Sequence, residues 1–205
     1  MLPNNVFYRL VLLGLMVLPI AAGCASTSYI EVTYQLPEPQ QNLDRKAVAL
    51  QVVDQRPTAT IAGPNAKKEL EYFTGLFSLS VARDGKKPML IGALDLTALF
   101  KEALKQRLES EGITVLDQAT AAQPSVEIQI KEFILDRDGK NWKAALAYQA
   151  VTSKGGRVLT SQTVSGGAER LKIVGTRDAE KLLGEIFSDM VNQLDPVKLF
   201  NHPEL

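Results

Sequence analysis

Side chains suited to nucleophilic or metal chemistry are scarce in this sequence, which holds a single cysteine, Cys24, and a single histidine, His202. A lone cysteine can form neither an intrachain disulfide nor a thiolate metal cluster within one chain. His202 follows Pro196 near the C-terminus and has no obvious oriented partner, which argues against a catalytic triad or a histidine-based metal site. We therefore predict that the protein is not an enzyme and that it has no catalytic, cofactor-binding or metal-binding residues and no cofactor.

One acidic segment has the spacing of a cation-binding loop. Asp136 and Asp138 are followed by Gly139, as at the start of a calcium loop. The pattern then fails, because Lys140 occupies a position for an oxygen ligand and Ala147 replaces the closing glutamate. The segment therefore favours a hairpin turn over a calcium site.

Two further pairs of residues have both a functional and a structural interpretation. Asp54 and Arg56 follow a buried strand, where they could form a polar contact at the mouth of a sheet. A local ion pair that fixes the strand exit is the favoured interpretation. Trp142 and Tyr148 lie on one face of a strand and could line a ligand groove, although such aromatic residues more often belong to the core.

The residues before Cys24 have the organisation of a secretion signal. Residues 10–20 form an uninterrupted apolar run, which is shorter than the about 20 residues that a membrane-spanning helix requires. The small residues at 21–23 (Ala-Ala-Gly) then lead to Cys24, and this arrangement resembles the lipobox of bacterial lipoproteins. The resemblance implies removal of residues 1–23, a diacylglyceryl thioether on Cys24 and a further fatty acyl chain, such as palmitate, on the new amino group.

The residues that follow Cys24 bear on the location of the anchored protein. Two or more acyl chains hold a protein stably on a bilayer, so no transmembrane helix is required. In many Gram-negative lipoproteins, Asp directly after the cysteine retains the protein in the inner membrane. Here Ala25 and Ser26 follow instead, which by this analogy indicates the periplasmic face of the outer membrane.

Composition and length indicate one domain that is attached to the membrane by its N-terminus. The 23 Lys and Arg residues balance the 23 Asp and Glu residues, so the basic surface of a nucleic-acid-binding protein is absent. We assign residues 24–45 to a lipidated N-terminus and extended tether and residues 46–205 to a single α+β domain. Within the tether, residues 29–34 have the composition of an edge strand, but a spacer that lifts the domain off the membrane is the preferred interpretation.

Hydrophobic periodicity predicts seven strands and two helices in the domain. The strands are residues 47–53, 76–81, 88–91, 113–116, 125–135 with a bulge near 131–132, 142–151 and 158–165. The helices are residues 96–111, between the N-cap Asp95 and the terminating Gly112, and residues 177–193, between the N-cap Thr176 and Pro196. We predict a two-layer α+β sandwich, in which the two amphipathic helices lie on one face of a mainly antiparallel sheet.

The order of these features resembles the YajG-type lipoproteins of Gram-negative bacteria. The resemblance rests mainly on Asp54-Gln55-Arg56 at the end of a buried strand and on the register of the helix before Gly112. It implies an outer-membrane lipoprotein and no catalytic residues. We expect a non-enzymatic, membrane-anchored interaction module whose partner is an envelope protein or peptidoglycan. The alternative is an accessory subunit of a lipid or lipopolysaccharide transport or assembly machine, which an exposed apolar groove would favour.

Overall fold

The structure, a computed structural model, describes residues 29–40, 43, 46–116, 118 and 123–200. Cys24, the predicted signal sequence and His202 lie outside the described residues. The strands are β1 (Tyr29–Gln35), β2 (Ala47–Asp54), β3 (Leu76–Ala82), β4 (Met89–Leu94), β5 (Thr114–Leu116), β6 (Ser125–Asp138), β7 (Asn141–Lys154) and β8 (Arg157–Leu171). The helices are α1 (Leu96–Ser110), α2 (Arg177–Asn192) and α3 (Pro196–Phe200). The α+β class is therefore confirmed.

The strands form two sheets rather than the single sheet that the sequence predicts. The small sheet has the order β1-β3-β4, and the large sheet has the order β5-β2-β6-β7-β8. The pairings β1–β3, β2–β5 and β2–β6 are parallel, whereas the β6–β7–β8 meander is antiparallel. The predicted bulge is confirmed, because the register of the β6–β7 pair shifts between Ile130 and Glu132. The expectation of one mainly antiparallel sheet is corrected to two mixed sheets.

β1 is a strand of the fold and not part of a spacer. It pairs in parallel with β3, with Tyr29 opposite Leu76. Its alternate side chains Ile30, Val32 and Tyr34 are buried, and their burial offsets the conformational entropy that the segment loses on ordering. The preference for a tether is therefore corrected over β1, and the alternative, that this segment pairs as an edge strand, is confirmed.

Polar side chains of α2 cover the free edge of β1. Ser188 Oγ accepts a hydrogen bond from the Gln35 N–H at 3.0 Å, and Asn192 Nδ2 donates to the Gln35 carbonyl at 2.9 Å. Glu180 Oε1 accepts from the N–H of Glu31 at 3.5 Å. Because these backbone groups already have partners, this edge is not open for pairing with another strand.

An aromatic cluster joins both long helices to the large sheet. The ring of Phe100 on α1 makes edge-to-face contacts with Phe133, Tyr148 and Phe187, at centroid distances of 5.9, 5.8 and 5.2 Å. Phe133 and Tyr148 belong to β6 and β7, and Phe187 belongs to α2. Trp142 and Tyr148 are fully buried, so the interpretation of these two residues as core is confirmed.

The two ends of α1 form as the sequence predicts. Asp95 Oδ1 accepts a hydrogen bond from the Ala98 N–H at 2.8 Å, which supplies a partner for a donor that the first helical turn leaves unpaired. Gly112 has a φ of 86°, in the left-handed region that favours glycine at a helix end. Both positions are confirmed as the caps of this helix.

The ends of α2 differ from the prediction. The side chain of Thr176 makes no capping hydrogen bond. The Asp178 carboxylate, in the first turn of α2, instead holds the preceding loop, because its Oδ2 accepts hydrogen bonds from the N–H groups of Ile173 and Val174 at 2.6 and 2.5 Å. α2 also ends before Pro196, which is the first residue of α3. Proline is tolerated there because the N–H groups of the first helical turn make no intrahelical hydrogen bonds.

Candidate functional site

Asp54 and Arg56 form the local ion pair that was the favoured interpretation. The Arg56 side chain is almost fully buried, and its Nε and Nη2 atoms lie 2.9 and 2.8 Å from the two carboxylate oxygens of Asp54. Arg56 also donates to the carbonyls of Phe133 and Ala59, at 3.3 and 3.0 Å. The hydrogen bonds that Arg56 donates to Asp54 lower the pKa of the Asp54 carboxyl below its usual range. The pair therefore fixes the exit of β2 against β6.

The carboxylates of Asp136 and Asp138 bind separate protein nitrogens rather than a shared cation. Asp136 Oδ1 accepts from the N–H of Asn65 at 2.9 Å, and Asp138 Oδ2 lies 2.7 Å from Lys143 Nζ. A Cβ atom on Gly63 would lie 2.3 Å from the Cγ of Asp136, so only glycine permits this close approach. The segment closes the β6–β7 hairpin, as predicted, and no cluster of metal-ligating side chains occurs among the described residues.

A groove of about 170 Å³ opens where β1 and α2 begin, and we call it the β1-end groove. Its apolar lining consists of Tyr29, Ile30, Leu70, Tyr72, Phe73, Leu135 and Ala179, and its polar lining consists of Glu69, Thr176 and Glu180. The groove is smaller than the roughly 300–1,000 Å³ of sites for drug-sized ligands. It has room for one apolar side chain or a short stretch of an acyl chain.

Glu69 joins the wall of the β1-end groove to the rest of the fold. Its carboxylate forms ion pairs with Arg137 of β6 and with Lys172, which directly follows β8. Burial of Glu69 opposes its ionisation, but the hydrogen bonds from Lys172 and Arg137 outweigh burial and lower the pKa of the Glu69 carboxyl. This carboxylate is therefore charged and engaged at neutral pH, and its role is structural.

Glu180 brings a second carboxyl group to the same groove. Burial raises the pKa of Glu180, and the charge of Glu31 raises it further, against the lowering effects of the Glu31 N–H and of Arg177. A half-buried carboxyl group beside apolar walls can pair with the cationic or hydrogen-bond-donating end of a ligand. The arrangement is thus suited to binding a group that has one apolar part and one polar end.

The sequence analysis did not identify the β1-end groove. Leu70, Tyr72 and Phe73 lie in a stretch for which periodicity predicts no helix or strand, and the structure places them in turns that pack against β1 and α2. The adjacent aromatic residues Tyr72 and Phe73 in a polar segment were the one available signal. Their proximity to Tyr29 and Ala179 depends on contacts between distant parts of the chain.

The chain resembles solved structures but has no match among family models or curated proteins. A Xanthomonas campestris protein of the DUF330 family has a TM-score of 0.49 at 12% identity, over 80% of this chain and 91% of that one. Rare lipoprotein B from Shewanella oneidensis has a TM-score of 0.40 at 8% identity, over 71% and 89% of the two chains. A minor lipoprotein from Acinetobacter baumannii has a TM-score of 0.35 at 9% identity, over 72% and 91%.

Two of these three similar structures are bacterial lipoproteins by name. Likenesses of this size do not carry a partner or an activity over to this chain. Within the part of the chain that the structure describes, no helix has both the length and the apolar character needed to cross a membrane.

Proposed function

We propose that the protein is a non-enzymatic lipoprotein of the bacterial envelope, anchored by acyl chains on Cys24. The observation that carries this proposal is the apolar run at residues 10–20, followed by the small residues at 21–23 and then by the only cysteine of the chain. By the same resemblance, and by the absence of Asp at position 25, we place the protein on the periplasmic face of the outer membrane. The YajG-type family is the group that it resembles.

The folded domain would act as an interaction module for an envelope protein or for peptidoglycan, without a nucleic-acid partner. A lipid anchor confines such a module to the layer that holds its partner. This confinement raises the effective concentration of the module around its partner. Balanced charge supports a partner that is recognised by shape and short-range contacts, because long-range attraction requires an excess of one sign.

The β1-end groove favours a second candidate, an accessory subunit of a lipid or lipopolysaccharide transport or assembly machine. Seven of the ten residues that line this groove are apolar, and Glu180 is one of the three polar residues. A groove of this kind can accept the end of one acyl chain, whereas a peptidoglycan strand has no comparable apolar group. The two candidates therefore differ in whether lipopolysaccharide contacts the groove.

Labelling of growing cells with a radioactive fatty acid tests the anchor. The wild-type protein should carry the label, and Cys24→Ala should carry none, because no other thiol can accept the lipid. Ser26→Ala is the matched control, since it alters the same segment without removing the thiol, and it should keep the label. Label retained on Cys24→Ala would refute the assignment.

Photo-crosslinking in cells separates the two candidates. A photoreactive amino acid would replace Tyr72, an exposed residue of the β1-end groove, or Val158, an equally exposed residue at the β7–β8 turn. Lipopolysaccharide captured at position 72 and not at position 158 would support the transport candidate. Capture of a single envelope protein without lipopolysaccharide would support the interaction module.

A further inference from the structure

We propose that the end of the domain that bears the β1-end groove rests on the lipid surface, with Tyr72, Ile173 and Val174 at the boundary between headgroups and acyl chains. This inference rests on the proposed lipid anchor at Cys24. It adds an orientation and a second membrane contact, neither of which follows from acylation alone.

The short distance between the anchor and the first strand restricts how the domain can be placed. Only four residues, 25–28, separate Cys24 from Tyr29. Tyr29 pairs with Leu76 in the small sheet, and the next residue, Ile30, is buried, so the start of β1 is held by the fold. Five chain steps reach at most about 18 Å even when fully extended. The start of β1 must therefore stay within that distance of the acylated residue.

The opposite end of the molecule lies beyond this reach. β7 has 14 residues, and a strand of that length spans about 45 Å. It runs from Asn141, three residues before the Ala144 that pairs with the groove residue Leu135, to Lys154 at the β7–β8 turn. An anchor close to Tyr29 therefore brings the groove end toward the bilayer and directs the β7–β8 turn away from it.

Three apolar side chains are exposed on the loops that this anchor brings to the bilayer. Tyr72 is 64% exposed, Ile173 is 77% exposed and Val174 is 54% exposed. Tyr72 lines the groove together with Tyr29, which is itself 38% exposed. Tyrosine and aliphatic side chains are favoured at the membrane interface, where the apolar part leaves water and the hydroxyl stays hydrated.

The loop that carries Ile173 and Val174 is held in position by hydrogen bonds. The Asp178 carboxylate accepts from both of their N–H groups, and Lys172, the residue before them, forms the ion pair with Glu69. A loop that is fixed in this way presents its two aliphatic side chains without a further ordering cost on contact. Val158, beside the β7–β8 turn, is similarly exposed, but the anchor cannot bring it to the membrane.

Site-directed spin labelling of the full acylated chain tests this orientation. Because Cys24 carries the lipid and is the only cysteine, a cysteine introduced by V174C or V158C is the one thiol that a nitroxide can label. The protein would be reconstituted in vesicles of phosphatidylethanolamine and phosphatidylglycerol. Collision rates would be measured with oxygen, which partitions into lipid, and with a nickel chelate, which stays in water. The two positions are matched in residue type and exposure and differ only in the end that they occupy.

We expect the ratio of oxygen to nickel collisions to be several-fold higher at position 174 than at position 158. Depth calibration should place the label on 174 within about 10 Å of the headgroup–acyl boundary. Adding Ile173→Asp to V174C should reduce the ratio, whereas adding Val158→Asp should leave it unchanged. Equal aqueous exposure of the two labels would overturn the inference. A label on 174 that is sheltered from both reagents would also overturn it, because a second copy of the chain would then cover this surface.

Two further measurements distinguish failure of the proposed anchor from failure of the proposed orientation. Fatty acid content and flotation with the vesicles would be measured on the same preparation. Protein without fatty acid would overturn the proposed function and this orientation together. Acylated protein that floats with the vesicles but has an aqueous label at position 174 would overturn the orientation alone.

Discussion

Truncating Tyr34 tests whether β1 belongs to the core or to a spacer. The short reach of the proposed anchor requires that β1 belongs to the core. The side chain is fully buried, and its ring packs edge-to-face against Phe187 at a centroid distance of 6.3 Å. Its hydroxyl donates to Asn192 Oδ1 at 2.9 Å. Removal of a buried aromatic side chain costs about 3–5 kcal/mol, and loss of one partly buried hydrogen bond costs about 1 kcal/mol. We therefore expect Tyr34→Ala to lower the unfolding free energy by about 4–6 kcal/mol.

Two matched variants divide this magnitude into its parts. Tyr34→Phe keeps the ring and removes only the hydroxyl, so its expected cost is about 1 kcal/mol. Tyr29→Ala truncates a tyrosine of the same strand that is 38% exposed, and it should cost clearly less than Tyr34→Ala.

The assay is guanidinium unfolding of a chain that begins at Ala25, followed by circular dichroism at neutral pH. The same loss should lower the melting temperature by about 8–24 °C in a protein of this size. A cost below about 0.5 kcal/mol for Tyr34→Ala, the usual limit for surface positions, would show that β1 is not part of the core. The orientation argued from the start of β1 would then lose its basis.

Two further predictions concern the helix caps. The hydrogen bonds from the Ala98 N–H and the Thr97 hydroxyl lower the pKa of Asp95 below its usual 3.8. The ionised carboxylate therefore contributes stability above pH 3.8, and this contribution is lost as the pH falls through the lower pKa of the folded state. The difference in unfolding free energy between wild type and Asp95→Asn should shrink in acid, and a difference that is constant with pH would contradict this. Thr176→Ala should change the unfolding free energy by less than about 0.5 kcal/mol, because this side chain makes no cap bond. Asp178→Ala should cost more, because it frees two loop N–H groups. Denaturant titrations of both variants would decide, and equal effects would show that Asp178 does not stabilise the loop before α2.

The elements that the sequence by itself determines are those held by interactions between near neighbours. α1 was predictable because its apolar positions repeat with the helical period and because Asp95 and Gly112 act within one turn of its ends. The β6–β7–β8 meander, with its bulge after Ile130, was predictable because each strand pairs with the next one along the chain. The lipobox-like segment that ends at Cys24 can also be recognised from the sequence alone, because the resemblance depends only on the order of residue types.

Only the tertiary structure decided the role of β1 and the existence of the β1-end groove. The composition of β1 fits a strand, but its partner is β3, a parallel strand far along the chain, and no local pattern encodes such a pairing. The groove forms only because this pairing brings Tyr29 close to Phe73 and Ala179, which belong to a turn and to the last long helix. The contacts of Asp178 likewise depend on the path of the loop before α2, which brings the N–H groups of Ile173 and Val174 to its carboxylate, whereas the Thr176 side chain makes no cap bond. Periodicity thus determines which segments become helices and strands, whereas the packing between them decides which side chains meet and where the domain presents its exposed apolar side chains.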